Sequence, residues 1–157
     1  KADQAEEKDI SDAVSSMKRL NRGAAEILSR FPVKCCTDIT GFALLGHLSE
    51  IVQKSGCGIR LNSKTLPFLA GARDYAEEWL FPGGSERNKC AFSAGVSING
   101  EVPEELEMLL YTPETSGGLA FTVPREQTDS IAGEFEKMGE PFWIIGETIE
   151  GPGIVLS

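Results

Sequence analysis

Three polar stretches interrupt an otherwise apolar pattern and carry residue types that could do chemistry: Thr37-Asp38-Ile39-Thr40-Gly41, Pro82-Gly83-Gly84-Ser85-Glu86-Arg87-Asn88 and Thr112-Pro113-Glu114-Thr115-Ser116-Gly117-Gly118. Each sets glycines beside hydroxyl side chains. Such pairs let backbone N–H groups come close to an anion, which is the physical basis of a phosphate cradle. None matches a Walker or dinucleotide fingerprint, and each taken singly reads as a turn. Asp38 is the one acid of the first stretch, placed where an apolar strand is expected to end and an apolar helix to begin. The first N–H groups of a helix lack partners and the helix dipole adds positive character there. Asp38 is therefore either a local cap or a carboxylate presented to a ligand.

Other reactive side chains form no recognisable constellation. Cys35, Cys36, Cys57 and Cys90 show no C-x-x-C spacing, and His47 is the single histidine, so neither a zinc site nor a dithiol motif is readable. Adjacent Cys35 and Cys36 point to opposite faces of a strand and read as buried, reduced thiols. A lone imidazole supports no Ser-His-Asp arrangement, and His47 reads as a packed or partly exposed helix residue. Trp79 and Trp143 have apolar neighbours and read as core or edge packing.

Composition sets the frame for these residues. A length of 157 residues, 41% apolar and 25% charged, is that of one globular domain able to fold alone, and 17 Gly with 8 Pro imply many turns. No apolar run approaches the roughly 20 residues that span a bilayer, and the polar opening is no signal peptide, so a cytoplasmic protein without membrane contact is expected. The first residue is Lys rather than Met, which reads as a fragment or a processed product. A net charge of −9 disfavours a general nucleic-acid binder, which needs a basic surface. That acidity reads as a solvated surface and also fits a protein that holds divalent cations.

The elements follow from periodicity. Residues 1–8 read as a loose charged lead-in, and apolar residues at helical spacing predict one long helix from Ser11 to the stop at Phe31-Pro32. A strand over 33–36 and a helix over 42–52, ended at Ser55-Gly56, flank Asp38. A strand over 57–61, a helix over 67–80 and the 82–88 loop come next, then a short strand at Val96 and Ile98 and a helix over 104–110 started by Pro103. The 112–118 loop leads to a strand over 119–123, a helix opened by Pro124 through about 138, and strands over 142–149 and 154–156. This irregular order predicts an α+β fold, a mixed β-sheet packed with helices.

Taken together, the polar stretches stop being independent. C-C-T-D-I-T-G-F-A-L-L-G-H-L at 35–48, P-G-G-S-E-R-N at 82–88, P-E-T-S-G-G-L at 113–119 and W-I-I-G-E at 143–147, with M-K-R-L-N at 17–21, resemble in order and spacing the C-terminal half of the selenophosphate synthetase (selenide, water dikinase) family. The resemblance covers essentially the whole chain. It implies a reaction in which ATP, selenide and water give selenophosphate, AMP and phosphate, with Mg2+ as cofactor. It also implies a fold like the C-terminal domain of aminoimidazole ribonucleotide synthetase, partly similar to a ferredoxin-like arrangement, with nucleotide held at the junction with an N-terminal domain. A homodimer is implied for the full-length enzyme.

Residue by residue, the family's T-D-[IV]-T-G-F segment carries a magnesium-binding carboxylate, which falls on Asp38, with Thr37 able to orient it. Magnesium combines one or two carboxylates with phosphate oxygens and water, so one Asp suffices as this domain's part. The family's other two loops imply nucleotide-facing positions at Gly83, Gly84, Ser85, Arg87 and Asn88, and at Thr115, Ser116, Gly117 and Gly118. No catalytic residue falls on this chain, because the family's catalytic Cys or selenocysteine, its Lys and most of its metal-binding Asp residues belong to the N-terminal half. Ala43 stands where the family often has Gly, a departure that adds only a methyl group. Two alternatives stay open: a non-catalytic binding or regulatory module of the same fold, and the C-terminal half of an aminoimidazole ribonucleotide synthetase relative.

Overall fold

Residues 5–157, described by a computed structural model, form an α+β fold of six short strands in two sheets with seven α-helices around them. In chain order the elements are α1 (Glu7–Lys18), α2 (Arg22–Leu28), β1 (Cys35–Asp38), α3 (Ala43–Ser55), β2 (Gly58–Leu61), α4 (Ala72–Glu77), α5 (Gly83–Phe92), β3 (Val96–Ile98), α6 (Glu104–Leu109), β4 (Leu119–Thr122), α7 (Thr128–Lys137), β5 (Gly146–Ile149) and β6 (Ile154–Leu156).

The larger sheet runs β3-β6-β2-β5, with β6 parallel to β2 and β3 and β5 antiparallel to β2. Its core face is built by the two-residue alternation of strands: Ile59 and Leu61 on β2 join Ile154 and Leu156 on β6. Leu45, Leu48 and Val52, three and four residues apart on α3, cover that face. Each Leu or Ile so buried contributes about 1.5–3 kcal/mol. α3 ends as expected at Gly56, whose φ of 72° is the left-handed cap conformation that glycine adopts without a Cβ penalty.

β1 and β4 form a separate antiparallel ribbon, with Cys35 opposite Thr122 and Asp38 opposite Leu119. Its alternating side chains join two cores. Ala120 packs into the core under α3, whereas Leu119 and Phe121 pack against Ile27 and Leu28 of α2 and Ile131 and Phe135 of α7. The ribbon is thereby fixed on both faces, and its Asp38 end is held in place.

Several expectations are corrected. Of the lead-in, residues 1–4 lie outside the described residues, while Glu7 and Lys8 are already helical. The single long helix is two helices: the chain turns extended at Arg19, and Asn21 donates to Gly117 O at 3.0 Å, a contact 96 residues away that a continuous helix would not make. The helix expected over 67–80 shrinks to α4, because the backbone turns left-handed at Gly71 and again at Trp79. The expected 82–88 loop is the first half of α5, and only the last four residues of the strand expected over 142–149 pair as β5.

Side-chain burial also departs from expectation. Trp79 and Trp143 are 48% and 54% exposed rather than core residues. The cysteines are free as expected, but Cys36, Cys57 and Cys90 are exposed and Cys35 is half-buried. Partial burial, then the neighbouring Cys35 and Asp38, raises the Cys36 pKa and disfavours its thiolate. Among the described residues no helix is long and apolar enough to cross a membrane.

Candidate functional site

β1 ends at Asp38 and α3 begins at Ala43, with Phe42 in the cap position and no side-chain cap bond. Asp38 is a strand-end residue, and the reading of it as a helix cap is corrected: Ile39, Thr40, Gly41 and Phe42 stand between it and the helix. Its side chain is exposed and enters no hydrogen bond or ion pair among the described residues. Thr37 Oγ1 donates to the Asp38 main-chain carbonyl at 3.2 Å, not to the carboxylate. Ala43, buried, enters α3 with φ 62°. Ala at this glycine-favoring conformation costs about 1 kcal/mol, more than the added methyl group alone suggested.

The turn after Asp38 is where the three polar stretches meet. Ile39 N–H donates to Gly118 O at 3.0 Å and Gly117 N–H to Ile39 O at 2.9 Å, while Glu114 N–H donates to Thr40 O at 3.0 Å. From α5, Asn88 Nδ2 donates to both Gly41 O and Tyr111 O at 3.0 Å, and Ser85 Oγ lies 3.0 Å from Thr112 Oγ1. Two glycines are required by close approach. A Cβ on Gly84 would come within 2.5 Å of Pro113 Cγ, and one on Gly117 within 2.5 Å of Ile39 O and closer still to Glu114 Oε2.

The site residues read from the sequence therefore divide. Ser85 and Asn88 are buried and engaged with protein partners, so they assemble the loops. Gly83, Arg87, Thr115 and Gly118 are exposed, and Thr37, Gly84, Ser116 and Gly117 are half-buried. Arg87 folds back over the first turn of α5, its guanidinium 3.5 Å from where a Gly83 Cβ would be. No acid pairs with Arg87 among the described residues.

Sequence reasoning did not single out Glu114 or Thr40, and took His47 for a packed or partly exposed helix residue. Nothing in their residue types could have flagged them, because their roles come from contacts across the fold. Burial pushes the Glu114 carboxyl up to about 7. The residue as a whole is exposed, but Oε2 packs on the Gly117 backbone beside Ile39 O, and the carboxyl's own surroundings decide its titration. Because the folded value lies above the ordinary carboxyl range, the native state holds the proton more tightly. Stability is then fully supported at low pH and falls as pH rises toward about 7. Glu114→Gln is expected to remove that part of the slope, so that the variant gains on the parent between about pH 5 and about pH 8. Urea midpoints at the two pH values check it, and an unchanged difference contradicts it.

Tyr111 closes the inner wall. Its hydroxyl is fully buried without a hydrogen-bond partner among the described residues, and burial, then nearby Glu107, pushes its pKa up to about 12, so it stays neutral.

A metal tests the donor set. Among the described residues no group of three or more His, Cys, Asp or Glu could hold an ion. Asp38 nevertheless presents a free, hard-oxygen carboxylate on a fixed strand end. It fits a magnesium ion as one ligand of several and not as a complete site. Two surface concavities lie away from it, one of about 350 Å³ beside Phe68 and Arg73 and one of about 570 Å³ beside Lys64 and Trp143. Neither includes a residue of the three stretches.

Comparison with known proteins places this geometry. The family model described as "AIR synthase related protein, C-terminal domain" matches residues 1–157. Proteins named selenide, water dikinase are 36% identical over 88% of the chain in Pelobacter propionicus, 42% over 76% in Caldanaerobacter subterraneus subsp. tengcongensis and 37% over 90% in Escherichia coli K12. The chain spans only 40%, 34% and 40% of those relatives' lengths. Among solved structures, the hydrogenase maturation protein HypE of E. coli matches with a TM-score of 0.63 at 19% identity, covering 90% of this chain and 36% of that one. Thiamine monophosphate kinase of Aquifex aeolicus matches with a TM-score of 0.60 at 18% identity, covering 98% and 42%. At these identities the two structures speak for the fold alone.

Proposed function

The chain belongs to the AIR synthase related protein family, as its C-terminal domain, and from that membership we propose that it is the C-terminal part of a selenide, water dikinase. The observation that carries the reaction is the 36–42% identity to proteins of that name across most of this chain. The longer protein is then a phosphotransferase that makes selenophosphate, AMP and phosphate from selenide, ATP and water. A cytoplasmic homodimer, with this domain packed on its own N-terminal domain, completes the reading.

In it, the chain's part is to present and to hold. Asp38 offers one carboxylate from the end of β1 to the metal–nucleotide site, and the 112–118 loop and α5 hold the turn behind it. The Gly83 and Gly84 N–H groups at the start of α5, with exposed Arg87 folded over them, suit phosphate oxygens. Thr115, Ser116 and Gly118 line the neighbouring loop. When bound, Mg2+ supplies charge neutralisation at the phosphates. Because no group of three or more His, Cys, Asp or Glu among the described residues could hold an ion and the chain spans only about 40% of its relatives' length, the remaining ligands, the nucleophile and the walls that exclude water come from the N-terminal domain.

Selenide-dependent AMP formation by the longer protein tests this. The expected result is AMP and selenophosphate with selenide and none with the substrates of aminoimidazole ribonucleotide synthetase. Turnover of the latter instead moves the chain to that branch of the family. No turnover of either, with the fold intact, supports a non-catalytic module.

A further inference from the structure

We propose that His47 is a positioning residue for the Asp38 turn, acting through the Thr40 hydroxyl. This rests on the reading of Asp38 as a metal ligand. His47 sits one turn into α3 and is only 8% exposed, an unusual place for an imidazole. Its two ring nitrogens face different partners. Nε2 lies 3.1 Å from Thr40 Oγ1, and Nδ1 lies 3.7 Å from Glu50 Oε2, one turn further along the same helix. Phe42 closes over the ring at 5.6 Å and is itself 5.5 Å from Phe92. The carboxylate on the Nδ1 side favours a proton there, which leaves Nε2 to accept from the Thr40 hydroxyl.

Thr40 is the node of the site. Its carbonyl accepts from both Ala43 N–H and Glu114 N–H at 3.0 Å, so the start of α3 and the 112–118 loop are both tied to this one residue. The side chain is the third tie, a hydrogen bond from the turn into the body of α3. Asp38, two residues earlier, has no side-chain bond of its own among the described residues, so the direction of its carboxylate depends on how firmly the turn behind it is held. Outer-shell groups that hydrogen-bond a metal ligand typically change metal affinity by about 10–100-fold when mutated. The Thr40–His47 bond acts one step further back, through the backbone, so the lower end of that range is expected.

The test compares Thr40→Val, His47→Leu and their combination in the longer protein, with Thr40→Ser and His47→Gln as variants that keep the bond. Two readouts are taken: Mn2+ binding with ATP by electron paramagnetic resonance, and hydrogen exchange of segments 37–41 and 112–118 in metal-free protein. The expected result is a rise of about 10-fold in half-saturating Mn2+ for each single variant, with faster exchange in both segments. The combined variant is expected to be no worse than either single, and the two bond-keeping variants to stay near the parent. Half-saturation and exchange unchanged in Thr40→Val and His47→Leu overturn the proposal, as do effects that multiply in the combined variant. Absence of selenide-dependent turnover in the parent, with the exchange effect present, contradicts the proposed function and leaves the positioning of the turn standing.

Discussion

Asp38→Asn is expected to slow selenide-dependent AMP formation by the longer protein by about 100-fold or more, because the proposed function makes this carboxylate the one charged oxygen that the domain offers the metal, and an amide would replace it. The fold should not notice. Asp38 is exposed, caps no helix and holds no side-chain partner among the described residues, so stability is expected to stay within about 0.5 kcal/mol. That separation of effects is what a ligand predicts and a structural residue does not. The check is the AMP rate over a range of Mg2+ concentrations beside a urea midpoint. An undiminished rate contradicts the assignment, and so does a rate lost together with the fold.

Asn88→Ala is expected to show the opposite pattern. One buried amide nitrogen serves both Gly41 O and Tyr111 O, and its removal leaves the buried Tyr111 carbonyl without that donor, whereas exposed Gly41 can turn to water. Such a group costs about 1–3 kcal/mol, so the variant is expected to lose about that much stability. Activity should fall too, as the turn behind Asp38 loosens. Arg87→Ala, one residue away but exposed, should leave stability nearly unchanged. Urea midpoints of the two variants decide this. A loss under about 0.5 kcal/mol for Asn88→Ala would mean that water replaces the amide and the three stretches are not held together by it.

How much of this was legible in the sequence depends on where each signal resides. α3, β2, α6, β4 and β6 lie where periodicity and β-branched content place them, because they bring apolar residues against a core, and so does β3 through Val96, although its Ile98 is exposed. α5 was read as a loop for a physical reason: its buried residues are Ser85 and Asn88, whose polar side chains hide a helical pattern, and it starts with Gly-Gly. The break between α1 and α2 depends on Asn21 reaching Gly117, and the shortness of α4 on left-handed backbone at Gly71 and Trp79. None of these is a local propensity. The exposure of Trp143 likewise belongs to the unpaired stretch before β5 rather than to its apolar neighbours.

The site was legible in its parts and not in its wiring. The three polar stretches were visible as glycine and hydroxyl clusters, and they do converge, yet which members face outward could not be read from their types. Ser85 and Asn88 look like ligand-binding residues and are occupied by Thr112, Gly41 and Tyr111. Thr40 and His47 look like filler and form the tie that holds the turn. Asp38 stood at a strand-to-helix junction that suggested a cap, and four intervening residues remove that role.

The central claim is that this chain holds one part of a split site. It is tested most directly by measuring selenide-dependent AMP formation by residues 1–157 alone and by the longer protein under the same Mg2+ and ATP. The account predicts turnover by the longer protein and none by the shorter chain. Turnover by residues 1–157 alone at a comparable rate would contradict it.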